Sequence, residues 1–151
     1  MILSKQVAVY IDIVACKLKK YTASLLRKQG VGLTPEQFLL IDLLWNQGPM
    51  TQQQLADAML KDKNSVTKLI DALERKELVF RKQSLTDRRA NVIFLTEKAE
   101  TMKNDAKEKG ISMLDHMIDG ISEEELHAFL DTLDKMSKNM SRKPRAKKKK
   151  E

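Results

Sequence analysis

The chain has 151 residues, 42% hydrophobic and 32% charged, with a formal net charge of +7. That is one domain's worth of protein with enough apolar content to bury a core unaided by disulfides or metal. No apolar run approaches the roughly 18 residues of a membrane span, the opening Met1-Ile2-Leu3-Ser4-Lys5 turns polar too soon for a signal peptide, and the single cysteine, Cys16, suits a reducing cytoplasm.

Residues 4–29 predict a long helix. Val7, Ile11, Val14, Leu18, Tyr21 and Leu25 recur at alternating spacings of four and three, a stripe that either faces a core or pairs with another helix. Gly30 and Gly32 end it. Thr34-Pro35-Glu36-Gln37 predicts the next start, with Thr34 as N-cap, Pro35 in the first turn and Gln37 closing a capping box. Phe38, Ile41, Leu44 and Trp45 carry that helix to Gly48-Pro49. Thr51 and Gln54 form a second capping box opening a short helix to about Met59, with Leu55, Ala56 and Met59 inward. A further helix follows over about 63–76, with Val66, Leu69, Ile70 and Leu73 as its buried stripe. Two short helices joined by a tight polar turn make a helix-turn-helix.

The pattern then changes. Leu78-Val79-Phe80-Arg81-Lys82-Gln83 and Asn91-Val92-Ile93-Phe94-Leu95 are β-branched and aromatic segments flanking a polar connection, Ser84 to Ala90, which predicts a hairpin with a basic tip. A hairpin directly after a recognition helix is a wing. Thr96 caps a helix from about Glu97 to Ile118, with Ala99, Met102, Ala106, Met113 and Met117 among its apolar positions. Asp119-Gly120 breaks it. Ser122 and Glu125 open the last helix, with Leu126, Phe129, Leu130, Leu133, Met136 and Met140 at helical spacing. From Ser141 the composition becomes a basic tail, expected to be disordered.

The charge follows this division. Residues 141–151 hold seven basic groups and one acid, so the rest of the chain is nearly neutral. Within it, residues 51–96 carry nine basic and six acidic groups, and residues 97–140 carry six basic and eleven acidic. A basic middle suits a phosphate-facing surface, and an acidic stretch suits one turned away from DNA.

A recognition helix enters the major groove by its N-terminal half. The exposed candidates there are Lys63, Asn64, Ser65, Thr67 and Lys68, with Asp71 and Arg75 further along. Asn64 suits bidentate contact with adenine, and Lys68 suits guanine or phosphate. Thr51, Gln52 and Gln53 begin the preceding helix, where backbone N–H groups suit a phosphate; capping alone also accounts for Thr51. Arg88 and Arg89 sit on the wing tip, where arginine is favoured in a narrow minor groove. Asp87 beside them is expected to orient one arginine by a charge-assisted hydrogen bond. No nucleophile–base pair, phosphate loop or metal-ligand spacing appears, so neither an enzyme nor a cofactor is expected. His116 and His127 lie on different predicted helices and do not make a metal site.

The run Asp87-Arg88-Arg89-Ala90-Asn91-Val92-Ile93-Phe94-Leu95-Thr96 resembles the wing signature of the MarR family, in which Asp-x-Arg precedes a strand ending in Leu-Thr. The resemblance spans about residues 33–100. It takes in Leu33-Thr34-Pro35-Glu36-Gln37, Leu55-Ala56, Ser65-Val66-Thr67-Lys68-Leu69-Ile70 and Leu73-Glu74-Arg75-Lys76. It implies a mainly α fold with a small β-hairpin wing: a winged helix-turn-helix over 33–96, flanked by dimerisation helices over 1–32 and 97–140, the whole of 1–140 being a single domain and 141–151 a tail. It implies a sequence-specific regulator, commonly a repressor, that grips a pseudo-palindromic double-stranded operator as a homodimer. Val7, Ile11, Val14, Leu18, Phe129, Leu130, Leu133 and Met136 are then dimerisation residues, Arg89 the minor-groove residue and Asp87 its support.

Family members often release DNA on binding a small aromatic or carboxylate effector, and some use a reactive cysteine. Cys16 lies off the 7, 11, 14, 18 stripe, and the tyrosine that the peroxide-sensing branch carries shortly after Leu-Thr is Phe38 here, so redox control through Cys16 stands as the alternative. A helix-turn-helix interaction module without DNA binding is the other. Glu77 departs from the family, which often has glycine there; a left-handed Glu77 costs about 1 kcal/mol.

Overall fold

The computed structural model describes residues 2–142, with side chains given outside 107–113. Residues 143–151 of the basic tail and the side chain of Met113 lie outside the described residues. In chain order the elements are α1 (Leu3–Lys28), α2 (Pro35–Gln47), β1 (Met50–Thr51), α3 (Gln52–Met59), α4 (Lys63–Arg75), β2 (Val79–Gln83), β3 (Asn91–Leu95), α5 (Glu97–Asp115), a 3-10 turn (His116–Ile118) and α6 (Glu123–Ser141). By its internal contacts the chain divides into two compact units, the first ending at Met113 and the second beginning at Leu114.

The local signals act where they are expected. Thr34, Thr51 and Ser122 each accept a hydrogen bond from the N–H three residues on, and the side-chain oxygens of Gln37, Gln54 and Glu125 accept in turn from the cap's own N–H. Each such cap stabilises its helix by about 1 kcal/mol. Thr96 caps α5 by accepting from the Ala99 N–H while donating to the Glu77 carbonyl at 2.7 Å. The long helix expected to run through Ile118 instead tightens into the 3-10 turn after Asp115.

β1 has no counterpart among the elements expected from sequence. It pairs with β3 through Met50↔Ile93 and Thr51↔Val92, giving an antiparallel sheet of order β1-β3-β2. Two residues are too few to show alternation, so only the partner strand reveals it. β2 and β3 pair from Val79↔Leu95 to Gln83↔Asn91, the expected wing.

The core of the first unit lies beneath this sheet. Leu40, Ile41 and Leu44 of α2, Leu55 of α3, and Val66, Ile70 and Leu73 of α4 meet Val79 and Ile93 of the sheet and Ala99 of α5. Trp45 joins them, its ring N–H donating to the Ala99 carbonyl at 3.1 Å. Its edge meets Phe38 at 6.0 Å between centroids.

A core-facing α1 is not what the structure gives. Of this helix only Leu26 is buried, while Val7, Ile11, Val14 and Leu18 are each more than a third exposed. In the second unit, Phe129 and Leu130 of α6 are over half exposed, and Leu133 and Met136 are of intermediate burial. His116 faces Asp119 at 2.9 Å, and His127 lies 3.7 Å from Glu123 within α6.

Candidate nucleic-acid interface

The helix-turn-helix is fixed at each joint by backbone geometry. α3 ends with Leu60 left-handed (φ 51), where the Lys61 N–H reaches the Ala56 carbonyl at 3.0 Å. α4 ends the same way: Glu77 is left-handed (φ 59), its N–H bonds the Glu74 carbonyl, and the Leu78 N–H bonds the Leu73 carbonyl. This is a Schellman ending, with buried Leu73 and Leu78 as its apolar pair. Glu77 thus takes, with a Cβ, the left-handed conformation that a glycine adopts without strain.

α4 begins at an N-cap outside the set of residues expected from sequence. Asp62 accepts from the Ser65 N–H through one carboxylate oxygen and from the Ser65 hydroxyl through the other, both at 2.8 Å. The bonds from Ser65 hold the Asp62 carboxyl below its ordinary value of 3.8. The spacing Asp62-x-x-Ser65 is a visible signal for it. A consequence follows for Ser65. Its hydroxyl proton points at its own cap, so what it can still offer DNA is an acceptor lone pair.

Several other expected contact residues are similarly engaged. The Thr51 hydroxyl accepts from the Gln54 N–H. Gln53 donates to Asp57 at 2.9 Å. Thr67 donates to the Lys63 carbonyl at 2.9 Å and accepts from the Gln52 amide at 3.1 Å. Asp71, with Glu74, is taken by Arg81 of β2, whose guanidinium forks across both carboxylates at 2.7 Å each. By contrast Lys63, Asn64, Lys68 and Arg75 are exposed, and their side chains bond none of the described residues. Asn64, Lys68 and Arg75 recur at spacings of four and seven, so they share one face of α4.

The wing tip is a shaped loop. The Ser84 hydroxyl accepts from the Thr86 and Asp87 N–H groups, and the Gln83 side chain donates to the Arg88 carbonyl. Asp87 accepts from the backbone N–H of Arg89 at 2.9 Å. The sequence suggests that Asp87 holds an arginine by its guanidinium; it holds the main chain instead, in an Asx turn. Arg88 and Arg89 are exposed, and neither guanidinium bonds any of the described residues.

Two residues outside the sequence-based set tie this surface to the rest of the unit. One is Arg81, described above. The other is Lys76, at the C-cap of α4, which donates to the Gly32 carbonyl and to Gln37 at 2.8 Å. It also borders a cavity of about 500 Å³ beside the end of α1, lined among others by Leu26, Arg27, Val31, Leu33 and Pro35. Among the described residues no group of three or more His, Cys, Asp or Glu gathers to hold a metal, and no helix is long and apolar enough to cross a membrane.

Known proteins resemble this chain in sequence and in fold. The MarR family model matches residues 33–90. The HTH-type transcriptional regulator MhqR of Bacillus subtilis is 37% identical over 108 residues, covering 72% of this chain and 74% of that protein. A MarR protein from Peptoclostridium difficile superposes with a TM-score of 0.81 at 20% identity, covering 92% of this chain and 90% of that one. The Staphylococcus aureus MepR–DNA complex superposes at 0.78 with 24% identity, covering 87% and 96%.

Proposed function

We infer that this chain, which belongs to the MarR family of DNA-binding transcriptional regulators, represses transcription by gripping a pseudo-palindromic operator as a homodimer. The observation that carries the reading is the set of unengaged donors presented from one braced frame. Asn64 and Lys68 lie on one face of α4, and Arg88 and Arg89 stand on the wing. An amide and an ammonium on a helix suit base edges in the major groove, and arginines on a hairpin suit the minor groove beside it. MepR, a protein of similar fold, was captured with DNA.

The apolar stripes of α1 and α6 support the dimer. Val7, Ile11, Val14 and Leu18 on α1, and Phe129, Leu130, Leu133 and Met136 on α6, are apolar faces of the kind that a second copy covers. Helices 1–32 and 97–140 then form the dimerisation region, and 33–96 the reader, working in the cytoplasm where the DNA is. Release by a small effector is supported by the cavity beside Lys76 and Arg27, which pairs apolar walls with two cations suited to an aromatic or carboxylate ligand. Cys16 is exposed on α1, which keeps peroxide as the competing signal.

The test is a gel shift on the DNA upstream of the protein's own coding sequence, with and without small carboxylates and peroxide. Arg89→Ala is expected to weaken specific binding about tenfold or more, the scale of a single base-edge interaction. Undiminished specific binding by that variant would rule out the wing mechanism.

A further inference from the structure

The sequence places Gln52 at a helix start whose backbone N–H groups suit a phosphate. Its side chain points elsewhere. The Nε2 group donates to the Thr67 hydroxyl at 3.1 Å, and the Oε1 atom accepts from the Asn91 side chain at 3.4 Å. Thr67 in turn donates to the Lys63 carbonyl at 2.9 Å. The direction of every bond in this chain is fixed: Asn91 to Gln52, Gln52 to Thr67, Thr67 to the backbone of Lys63. An amide suits the middle of such a chain because it carries a donor and an acceptor on one planar group.

The three residues belong to three elements. Asn91 is the first residue of β3, two positions after Arg89. Gln52 is the first residue of α3, directly after β1, whose Thr51 pairs with Val92. Thr67 sits in α4 between Asn64 and Lys68. The bridge therefore runs from the foot of the wing tip to the base-reading face.

We propose that Gln52 is a positioning residue that sets the angle between wing and recognition helix, through the hydrogen-bond bridge Asn91–Gln52–Thr67. A hairpin tied to a helix at one point pivots about it. Here two polar ties add to the core that Val79 and Ile93 share with Val66, Ile70 and Leu73 of α4. Arg81 links β2 to Asp71 and Glu74 further along α4, and Gln52 links β3 to its N-terminal half. Two separated ties remove the pivot. Arg89 is then held at a fixed reach from Asn64 and Lys68, so major-groove and minor-groove contacts form together without an ordering cost. This rests on the reading that helix and wing engage DNA at the same time.

Gln52 keeps one amide proton and one lone pair free, so a direct phosphate contact must be separated from positioning. A double-mutant cycle does this. Binding is measured by fluorescence anisotropy on the upstream duplex that the gel shift identifies and on a random duplex, with urea unfolding as a check on the fold. Gln52→Ala is expected to lose about tenfold in specific affinity and to leave random-duplex binding unchanged. In that background Arg89→Ala should cost less than about twofold more, against about tenfold in the wild type, because the wing is no longer held in register. Thr67→Val, which keeps the shape and drops the hydroxyl, should match Gln52→Ala, while Thr67→Ser should bind as wild type. An equal cost of Arg89→Ala in both backgrounds would overturn the proposal in favour of direct contact. No effect of Arg89→Ala in the wild type would instead remove the wing reading, and the proposal with it.

Discussion

The ammonium of Lys76, at the end of the recognition helix, donates to the side-chain oxygen of Gln37, 39 residues earlier. Gln37 is only 8% exposed, and the same oxygen closes the capping box at Thr34. One oxygen therefore joins the start of α2 to the end of α4. Replacing the ammonium leaves that oxygen and the Gly32 carbonyl short of a donor. Lys76→Met is expected to lower stability by about 1–2 kcal/mol, read as a fall in the urea midpoint at unchanged slope.

Glu77 and Leu60 both occupy the left-handed region, where a Cβ is strained. Glu77→Gly is expected to raise stability by up to about 1 kcal/mol, the relief of that strain less the greater freedom of glycine in the unfolded chain. Glu77→Ala retains the Cβ and should bring no gain. The comparison of the two in urea isolates backbone strain from charge.

Arg81 is mostly buried and bridges two half-exposed carboxylates. Arg81→Lys keeps the charge but cannot fork across both. A stability loss of about 1 kcal/mol is expected, discounted for the exposure of Asp71. DNA binding should fall with it, and a double mutant with Gln52→Ala should bind more weakly than either single variant.

Asp62 gives the recognition helix a pH-dependent start. Its carboxyl is held below 3.8 by the Ser65 bonds. A depressed value means that the stabilisation is complete above the unfolded value and is lost as pH falls through the folded one. Asp62→Asn keeps a capping oxygen that does not titrate. The stability difference between wild type and Asp62→Asn, followed from about pH 5 to about pH 2, should shift against the wild type. A constant difference across that range would show that the cap does not titrate with folding.

The tail, residues 141–151, carries seven basic groups and one acid. Removing residues 141–151 should weaken binding to operator and random duplexes alike. It should also flatten the dependence of affinity on salt, by roughly 0.9 for each phosphate that the tail neutralises. An unchanged salt slope would show that the tail stays off the DNA.

Much of this fold is legible in the chain because its signals are local. The capping boxes at Thr34, Thr51 and Ser122 need only residues three apart, and the wing announces itself by two β-rich segments around a polar connection. The left-handed Glu77 is legible as the residue standing where glycine is usual. Which polar side chains bond within the protein is less so. Ser65 can be placed, since its cap Asp62 is three residues away, but Gln52 meets Thr67 across 15 residues and Asn91 across 39. Polar residues on an exposed helix face look alike in sequence, and only the docking of elements decides which are spent within the protein. Asp87 shows the same limit at short range: Arg88 and Arg89 do stand beside it, but the turn directs its carboxylate to an N–H rather than to a guanidinium.

Trp45 is the chain's single tryptophan. It is buried, bonded to the Ala99 carbonyl, and its own carbonyl accepts from Lys103 at 3.0 Å. The molecule thus carries a built-in optical reporter on the seam between α2 and α5, bonded to Ala99 and Lys103 rather than to Asn64, Lys68 or the wing tip. Its emission should stay still when DNA merely docks and shift when that seam opens, so one cuvette can tell occupancy of the reader from rearrangement behind it.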